Sequence, residues 1–306
     1  MAQLIKLENY ISRYQRDTFH YPGQFIRLKQ ENWRKLVQTW EYQLEQPTSD
    51  NEIEELDDNT NFSKWKSFFQ RREQFDDDLL SDEQEDILPK SKTDLKQYYL
   101  DTLLPFQLKW ASTTINQMSF LDRAYHDDLI LKYFLQRFPD TFLLLYHPVF
   151  QLKNATLDGD IILITPVGID IIHLVEKGTT ERIVAGDDRT WYTEENNIQS
   201  RFLSPMLSLK RTEKIVRSIL SASDVSFPIK KIVLSRTNNI DFFTEPYLTN
   251  YIGKEQHEEW LSERRNFVSP LKHNQLKVAE AILQYCDTAA VRRPEWDIKE
   301  SDDFST

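Results

Sequence analysis

The stretch Asp158-Gly159-Asp160-Ile161-Ile162-Leu163-Ile164-Thr165-Pro166-Val167-Gly168-Ile169-Asp170-Ile171-Ile172-His173-Leu174-Val175-Glu176-Lys177 decides the reading of the fold. Two apolar, β-branched runs flank Pro166-Val167-Gly168, a turn signal, so the spacing predicts a β-hairpin. Asp160 stands at the mouth of the first strand. The second strand ends in His173, Glu176 and Lys177. Side chains alternate between the faces of a strand. Ile169, Ile171, His173 and Val175 therefore share one face, and Asp170, Ile172, Leu174 and Glu176 the other. Lys177 has the parity of His173 but stands further along.

Working outward, strands are expected at 141–146, 160–165, 169–176 and 229–236. A helix at 127–138 precedes the first, ending before Pro139, and a long helix at 205–221 bridges the third and fourth. Further helices are expected at 93–118, 244–252, 256–265 and 274–286. The order helix, three strands, helix, strand gives an α/β fold with a mixed central sheet flanked by helices, the hairpin supplying its antiparallel part. Near the start, Leu4, Leu7, Ile11 and Tyr14 fall at spacings of three and four and predict an amphipathic helix. His20-Tyr21-Pro22-Gly23 breaks it. A second helix carries Trp33, Leu36, Val37, Trp40 and Leu44 on one face. The organisation read from the chain is an N-terminal helical region 1–46, an acidic and partly disordered linker 47–92, an α/β domain 93–290 and an acidic tail 291–306. A short helix at 63–75 is expected within the linker.

The net charge of −11 is concentrated. Residues 50–88 hold fourteen acids against Lys64, Lys66, Arg71 and Arg72, a net of −10, which leaves −1 for the rest. The remainder is near neutral, so the overall acidity does not argue against a nucleic-acid partner. Six glycines in 306 residues argue against glycine-rich phosphate loops, and no Walker or dinucleotide fingerprint is present. The single cysteine, Cys286, allows no internal disulfide and no cysteine zinc cluster. No apolar run is long enough to span a membrane, and no secretory signal is read. A cytoplasmic protein with no membrane partner is expected, its oligomeric state open.

The segment from Asp128 to about Ile252 resembles the nuclease-related domain (NERD), a branch of the PD-(D/E)xK restriction-endonuclease-like fold. The features that carry the likeness are Asp128 opening a helix, the Asp160 strand with its Gly168-Ile169 turn, Trp191, the Ser204-Pro205-Met206-Leu207-Ser208 helix start, and the strand Lys231-Ile232-Val233-Leu234-Ser235. The resemblance implies a phosphodiesterase that uses Mg²⁺ or another divalent cation. Metal-assisted hydrolysis needs oxygen ligands, an attacking water and a cation near the scissile phosphate. Asp160 occupies the family's metal-binding aspartate position and Asp128 the place of the acid on the first helix. The family's Glu falls on His173, its Lys on Val175, and a glutamine of the crossover helix on Ser208. Valine can supply neither charge nor hydrogen bond.

Three functions follow. The first is a degenerate nuclease-related protein that keeps a nucleic-acid or protein binding role. The second is an active nuclease with a migrated site, Asp160, Glu176 and Lys177 acting together, with metal held by Asp160, Asp128 and His173. The third is a scaffold that recruits a protein partner through the N-terminal helices and acidic segment. Each residue also has a plainer reading. Asp158 and Asp160 suit turn chemistry, and Asp128 suits a helix N-terminus. His173 suits packing, because imidazole prefers Zn or Cu to Mg. Lys210, Arg211, Lys214 and Arg217 read as a solvated helix face. The mixture of Tyr10, Arg13, Tyr14, Arg16, Phe19, His20, Tyr21, Arg27 and Lys29 can stack bases or pack a helical hairpin.

Overall fold

A computed structural model describes residues 1–45, 88–152, 155–196 and 198–293. The expected helix at 63–75, most of the acidic linker and nearly all of the tail lie outside the described residues. The strands, in chain order, are β1 (Gln3–Leu7), β2 (Gln117–Met118), β3 (Leu143–Tyr146), β4 (Val149–Leu152), β5 (Ala155–Asp158), β6 (Ile161–Thr165), β7 (Gly168–Leu174), β8 (Arg182–Val184), β9 (Thr190–Glu195), β10 (Ile198–Leu203), β11 (Ile229–Leu234), β12 (Ile240–Asp241), β13 (Thr249–Ile252) and β14 (Val291–Arg292). The helices are α1 (Tyr21–Glu45), α2 (Lys92–Trp110), α3 (Leu129–Gln136), α4 (Pro205–Ala222), α5 (Lys254–Arg265) and α6 (His273–Gln284). They divide into two compact units, one of Met1–Arg27 with Gln107–Thr306, the other Leu28–Phe106.

The larger unit is a mixed α/β structure around a six-stranded sheet of order β1-β3-β6-β7-β11-β13. Every strand runs parallel to the others except β6, which is antiparallel to β3 and β7. The hairpin expected from the sequence is present, with Ile161 opposite Ile172 and Thr165 opposite Gly168. Its two-residue turn is closed by the Thr165 hydroxyl, which accepts from the backbone of Val167 and Gly168. The crossover helix is also present. Ser204 caps α4 by accepting from the Met206 amide, and Pro205 occupies the first turn, where its missing N–H costs nothing. The face of α4 that carries Leu209, Thr212, Val216 and Ile219 is buried. All of β3 and β6 is buried, as a strand covered on both faces requires.

A second sheet, β10-β9-β8-β12, follows the hairpin. Trp191 is fully buried and packs edge-on against Tyr251 and Phe202. Its strands are short and half polar, so the sequence shows little alternation to reveal them.

Three expectations are corrected. The first helix does not form: Gln3–Leu7 is β1, an edge strand parallel to β3. Leu4 and Leu7 match helical spacing, but Ile5 between them is equally buried, so this stretch is apolar on both sides. Lys6 is buried too, its ammonium donating to the carbonyls of Tyr10 and Asp287. The helix expected at 244–252 is instead a loop leading into β13, where Thr249, Tyr251 and Ile252 suit pairing with β11 better than a helix. The helix expected at 93–118 stops at Trp110.

In the smaller unit, Trp33 packs against Tyr99 with ring centroids 5.3 Å apart. The Trp40 indole donates to the Pro89 carbonyl at 2.6 Å, and the Tyr99 hydroxyl donates to the carbonyl of Lys29. Leu36, Leu95 and Leu103 are buried there.

Candidate functional site

Asp160 lies one residue before β6. Continuing the hairpin register by one step sets it opposite His173. Asp160 is 4% exposed, and both of its carboxylate oxygens accept hydrogen bonds. His173 Nδ1 lies 2.6 Å from Oδ1, the Ser208 hydroxyl donates to the same oxygen at 3.0 Å, and Thr212 donates to Oδ2 at 2.8 Å. The Thr212 oxygen in turn accepts from the Asp160 amide at 3.1 Å. An ionised carboxylate only accepts, so Nδ1 of His173 carries the proton and Nε2 faces away from the carboxylate. Gly159 makes the chain path into this position. A Cβ there would meet the Phe150 ring at 2.7 Å and the Pro148 carbonyl at 3.0 Å.

Three positions that the nuclease-related likeness picks out therefore meet in one hydrogen-bonded cluster: Asp160, His173 and Ser208. Val175, in the place of the expected lysine, is buried, and its amide continues the ladder to Leu234 at 2.8 Å. Thr212 completes the cluster and was not singled out from sequence. The signal was there: Ser208 and Thr212 are four residues apart on α4, so they share a face.

Glu176 and Lys177 do not join this cluster. Glu176 receives Arg236 bidentately, Nε at 2.6 Å and Nη2 at 2.9 Å. The Arg236 guanidinium lies 5.0 Å over the Tyr133 ring of α3, and the Tyr133 hydroxyl is 2.7 Å from His257 Nε2 on α5. The hydrogen bond to Glu176 holds Arg236 above its ordinary pKa, while burial lowers that of His257. Asp170, of the same parity as Glu176, pairs with Arg264 of α5 at 2.9 Å. Lys231, level with Ile171, instead reaches Glu213 of α4 at 2.6 Å. Even positions of β7 thus look toward α3 and α5, and odd positions toward α4. Glu176 and Asp160 serve opposite faces of the sheet. Lys177 rests its ammonium 4.4 Å over the Phe202 ring, and its amide donates to Asn238 Oδ1.

Asp128 is the N-cap of α3, accepting from the amides of Ile130 and Leu131 at 2.8 and 3.0 Å. Its second oxygen accepts from the Tyr146 hydroxyl at 2.8 Å. Burial first, and this bond second, raise the Tyr146 pKa. Two cations of the basic face of α4 are paired. Lys210 meets Asp188 at 2.6 Å, and Arg217 meets Glu213 at 2.8 Å. Burial would raise the Glu213 carboxyl, but Lys231 and Arg217 hold it below the usual range. Arg211 instead turns to the cluster, Nη2 lying 3.3 Å from Ser208 Oγ and 3.5 Å from the Asp158 carbonyl.

The donor set does not fit Mg²⁺. That ion takes oxygen ligands in near-octahedral order, and the cluster offers one carboxylate, already holding three donors, beside an imidazole. Among the described residues no group of three His, Cys, Asp or Glu side chains is placed to hold a metal ion. Among them, too, no helix is long and apolar enough to cross a membrane.

No family model matches this chain, and no solved structure matches it. A stretch of 41 residues is 54% identical to an RNA 2',3'-cyclic phosphodiesterase of Geobacillus stearothermophilus. The match spans 13% of this chain and 13% of that protein's length.

Proposed function

We propose that the larger unit is a nuclease-related domain of restriction-endonuclease-like ancestry that has lost metal-dependent cleavage and keeps a nucleic-acid binding role. One observation carries the reading: Asp160, the aspartate that would hold the metal, is saturated by His173, Ser208 and Thr212. The buried Val175, where a cation is required, supports it. The order of helix, strand, hairpin, crossover helix and parallel strand supports the ancestry. The relative named as an RNA phosphodiesterase suggests the same ligand class over its short span and bears on nothing else. The protein acts in the cytoplasm on this reading.

Incubating the full chain with labelled DNA and RNA in Mg²⁺ and Mn²⁺ tests the loss of cleavage. The expected result is intact substrate, and no rise in thermal midpoint when either ion is added. Efficient Mg²⁺-dependent cleavage that disappears in Asp160→Ala would overturn the reading.

A further inference from the structure

We propose that β10 is a dimerisation edge: two copies of the chain join by antiparallel pairing of their β10 strands about a two-fold axis through Ser200. The inference stands apart from the nuclease-related reading and does not depend on it.

β10 is an edge of the second sheet and pairs with β9 alone. Ser204 donates to the Arg189 carbonyl at 2.9 Å. Alternation along an antiparallel ladder then turns the amides and carbonyls of Ile198, Ser200 and Phe202 toward β9. Those of Gln199, Arg201 and Leu203 point outward and have no partner among the described residues. The other edges of the two larger sheets are closed. On β1, Gln107 Oε1 accepts from the Leu4 amide at 2.6 Å and its Nε2 donates to the Ala2 carbonyl at 2.8 Å. On β13, Glu245 accepts from the Tyr251 amide at 2.7 Å. On β12, Gly253 packs where a Cβ would stand 2.8 Å from the Ile240 nitrogen. β10 carries neither the proline nor the lysine that commonly blunts an edge. Its ends, Ile198 and Leu203, are instead 70% and 72% exposed. Unpaired backbone groups between exposed apolar side chains form a template for another strand.

The strand is complementary to itself. Outward groups must meet outward groups, which fixes the parity of the pairing. An axis through Arg201 would set that cation against the partner's Arg201, a like-charge pair. An axis through Ser200 sets Gln199 against the partner's Arg201 and Ile198 against the partner's Phe202, and symmetry repeats both pairs. The charges then complement each other. Behind Gln199, on β9, stands Glu194. Its other neighbour, Arg182 of β8, is taken by Asp241 at 3.0 Å. Within one copy neither Arg201 nor Glu194 makes an ion pair among the described residues. In the dimer the partner's Arg201 and Glu194 are two strand spacings apart, about 9.6 Å. Extended arginine and glutamate side chains close that gap from both ends. Two four-stranded sheets thereby become one continuous sheet.

The test is sedimentation velocity of the full chain, joined to cysteine cross-linking. The parent is expected to shift from monomer to dimer as concentration rises. Arg201→Pro removes an outward amide and the cation while leaving the bonds to β9 in place, and is expected to abolish the shift. Ile198→Lys, a milder change that leaves the backbone intact, places a lysine on the edge and is expected to do the same. Val268→Lys, at a 96% exposed valine between α5 and α6, is expected to dimerise like the parent. Facing residues that exchange no hydrogen bonds have Cα atoms about 4.5 Å apart, within disulfide range. Ser200→Cys is therefore expected to form an interchain disulfide on mild oxidation, the native Cys286 being buried. Gln199→Cys is expected to stay reduced, because its counterpart lies two positions along the partner strand. A parent that stays monomeric at every concentration overturns the proposal. So does a dimer that Ile198→Lys and Arg201→Pro leave intact, or one that Val268→Lys breaks equally. Cross-linking through Arg201→Cys in place of Ser200→Cys overturns the axis.

Discussion

Glu176 and Arg236 stand sixty residues apart and meet as a bidentate pair because β7 and β11 run parallel with that same offset. Ile169 faces Ile229, and every later pair keeps the register. The pair lies just past the strand ends and is about three-quarters buried, with side-chain exposures of 26% and 23%. Removing one partner leaves the other partly desolvated without its complement. Glu176→Ala is therefore expected to cost about 1–3 kcal/mol in urea unfolding. Arg236→Met alone should cost a similar amount, because the ring of Tyr133 also loses its cation. The double variant should be less destabilised than the sum of the two, and strict additivity would show that the pair is not coupled.

That pair also shows what the sequence could and could not yield. The hairpin was legible because its signals are local: β-branched runs and a Pro-containing turn. The crossover helix was legible for the same reason, from its Ser204-Pro205 start. Alternation also put Glu176 out of phase with Asp160, as the structure has it. What alternation cannot supply is the partner. Arg236 is assigned to Glu176 by parallel register, a non-local quantity. Thr212 joins Asp160 only because α4 crosses back over the sheet at that height. β1 was misread because Leu4, Leu7, Ile11 and Tyr14 fall at helical spacing although the stretch Gln3–Leu7 is buried throughout.

The entry to the site depends on one glycine. Gly159 lies where any Cβ would stand 2.7 Å from Phe150 Cε2, and Phe150 is fully buried. Gly159→Ala must therefore displace either the ring or the β5–β6 connection that carries Asp160. The expected cost is about 1–3 kcal/mol, in the range of an overpacked core. Phe150→Leu should relieve part of it, so the double variant should unfold at higher urea than the two separate losses predict. If Gly159→Ala unfolds like the parent, the close approach does not constrain the chain.

Lys6 sets a pH dependence. Burial pushes its ammonium down to about 8 from the ordinary 10.5. Between those values the unfolded chain binds more protons than the folded one, so stability rises with pH. Cys286 works the other way, since burial pushes its thiol up to about 12 from 9.0. Above pH 9 the unfolded thiol ionises first and stability falls. The window for Lys6 is therefore pH 8 to 9, where the gain is about 1 kcal/mol. Urea midpoints across that window should rise in the parent and lose this rise in Lys6→Met. Lys6→Met should also be less stable throughout, because the Tyr10 and Asp287 carbonyls lose their donor. An identical slope in both proteins would remove Lys6 as the cause.

The proton on His173 can be read directly. Asp160 holds Nδ1 at 2.6 Å, and a carboxylate fixes the tautomer of the ring that donates to it. Long-range ¹H–¹⁵N correlation should show the proton on His173 Nδ1, in its bond to Asp160. In Asp160→Ala the acceptor is gone and the ring should leave that tautomer. Thr212→Val separates orientation from burial. It removes a donor to Oδ2 and the acceptor for the Asp160 amide, yet leaves Oδ1 and His173 untouched. It should therefore cost about 1–3 kcal/mol of stability, the penalty of buried polar groups left unpaired, while the His173 tautomer stays as in the parent. A changed tautomer in Thr212→Val would mean that the carboxylate rotates freely. The cluster would then be a set of separate bonds rather than a fixed support for Nε2.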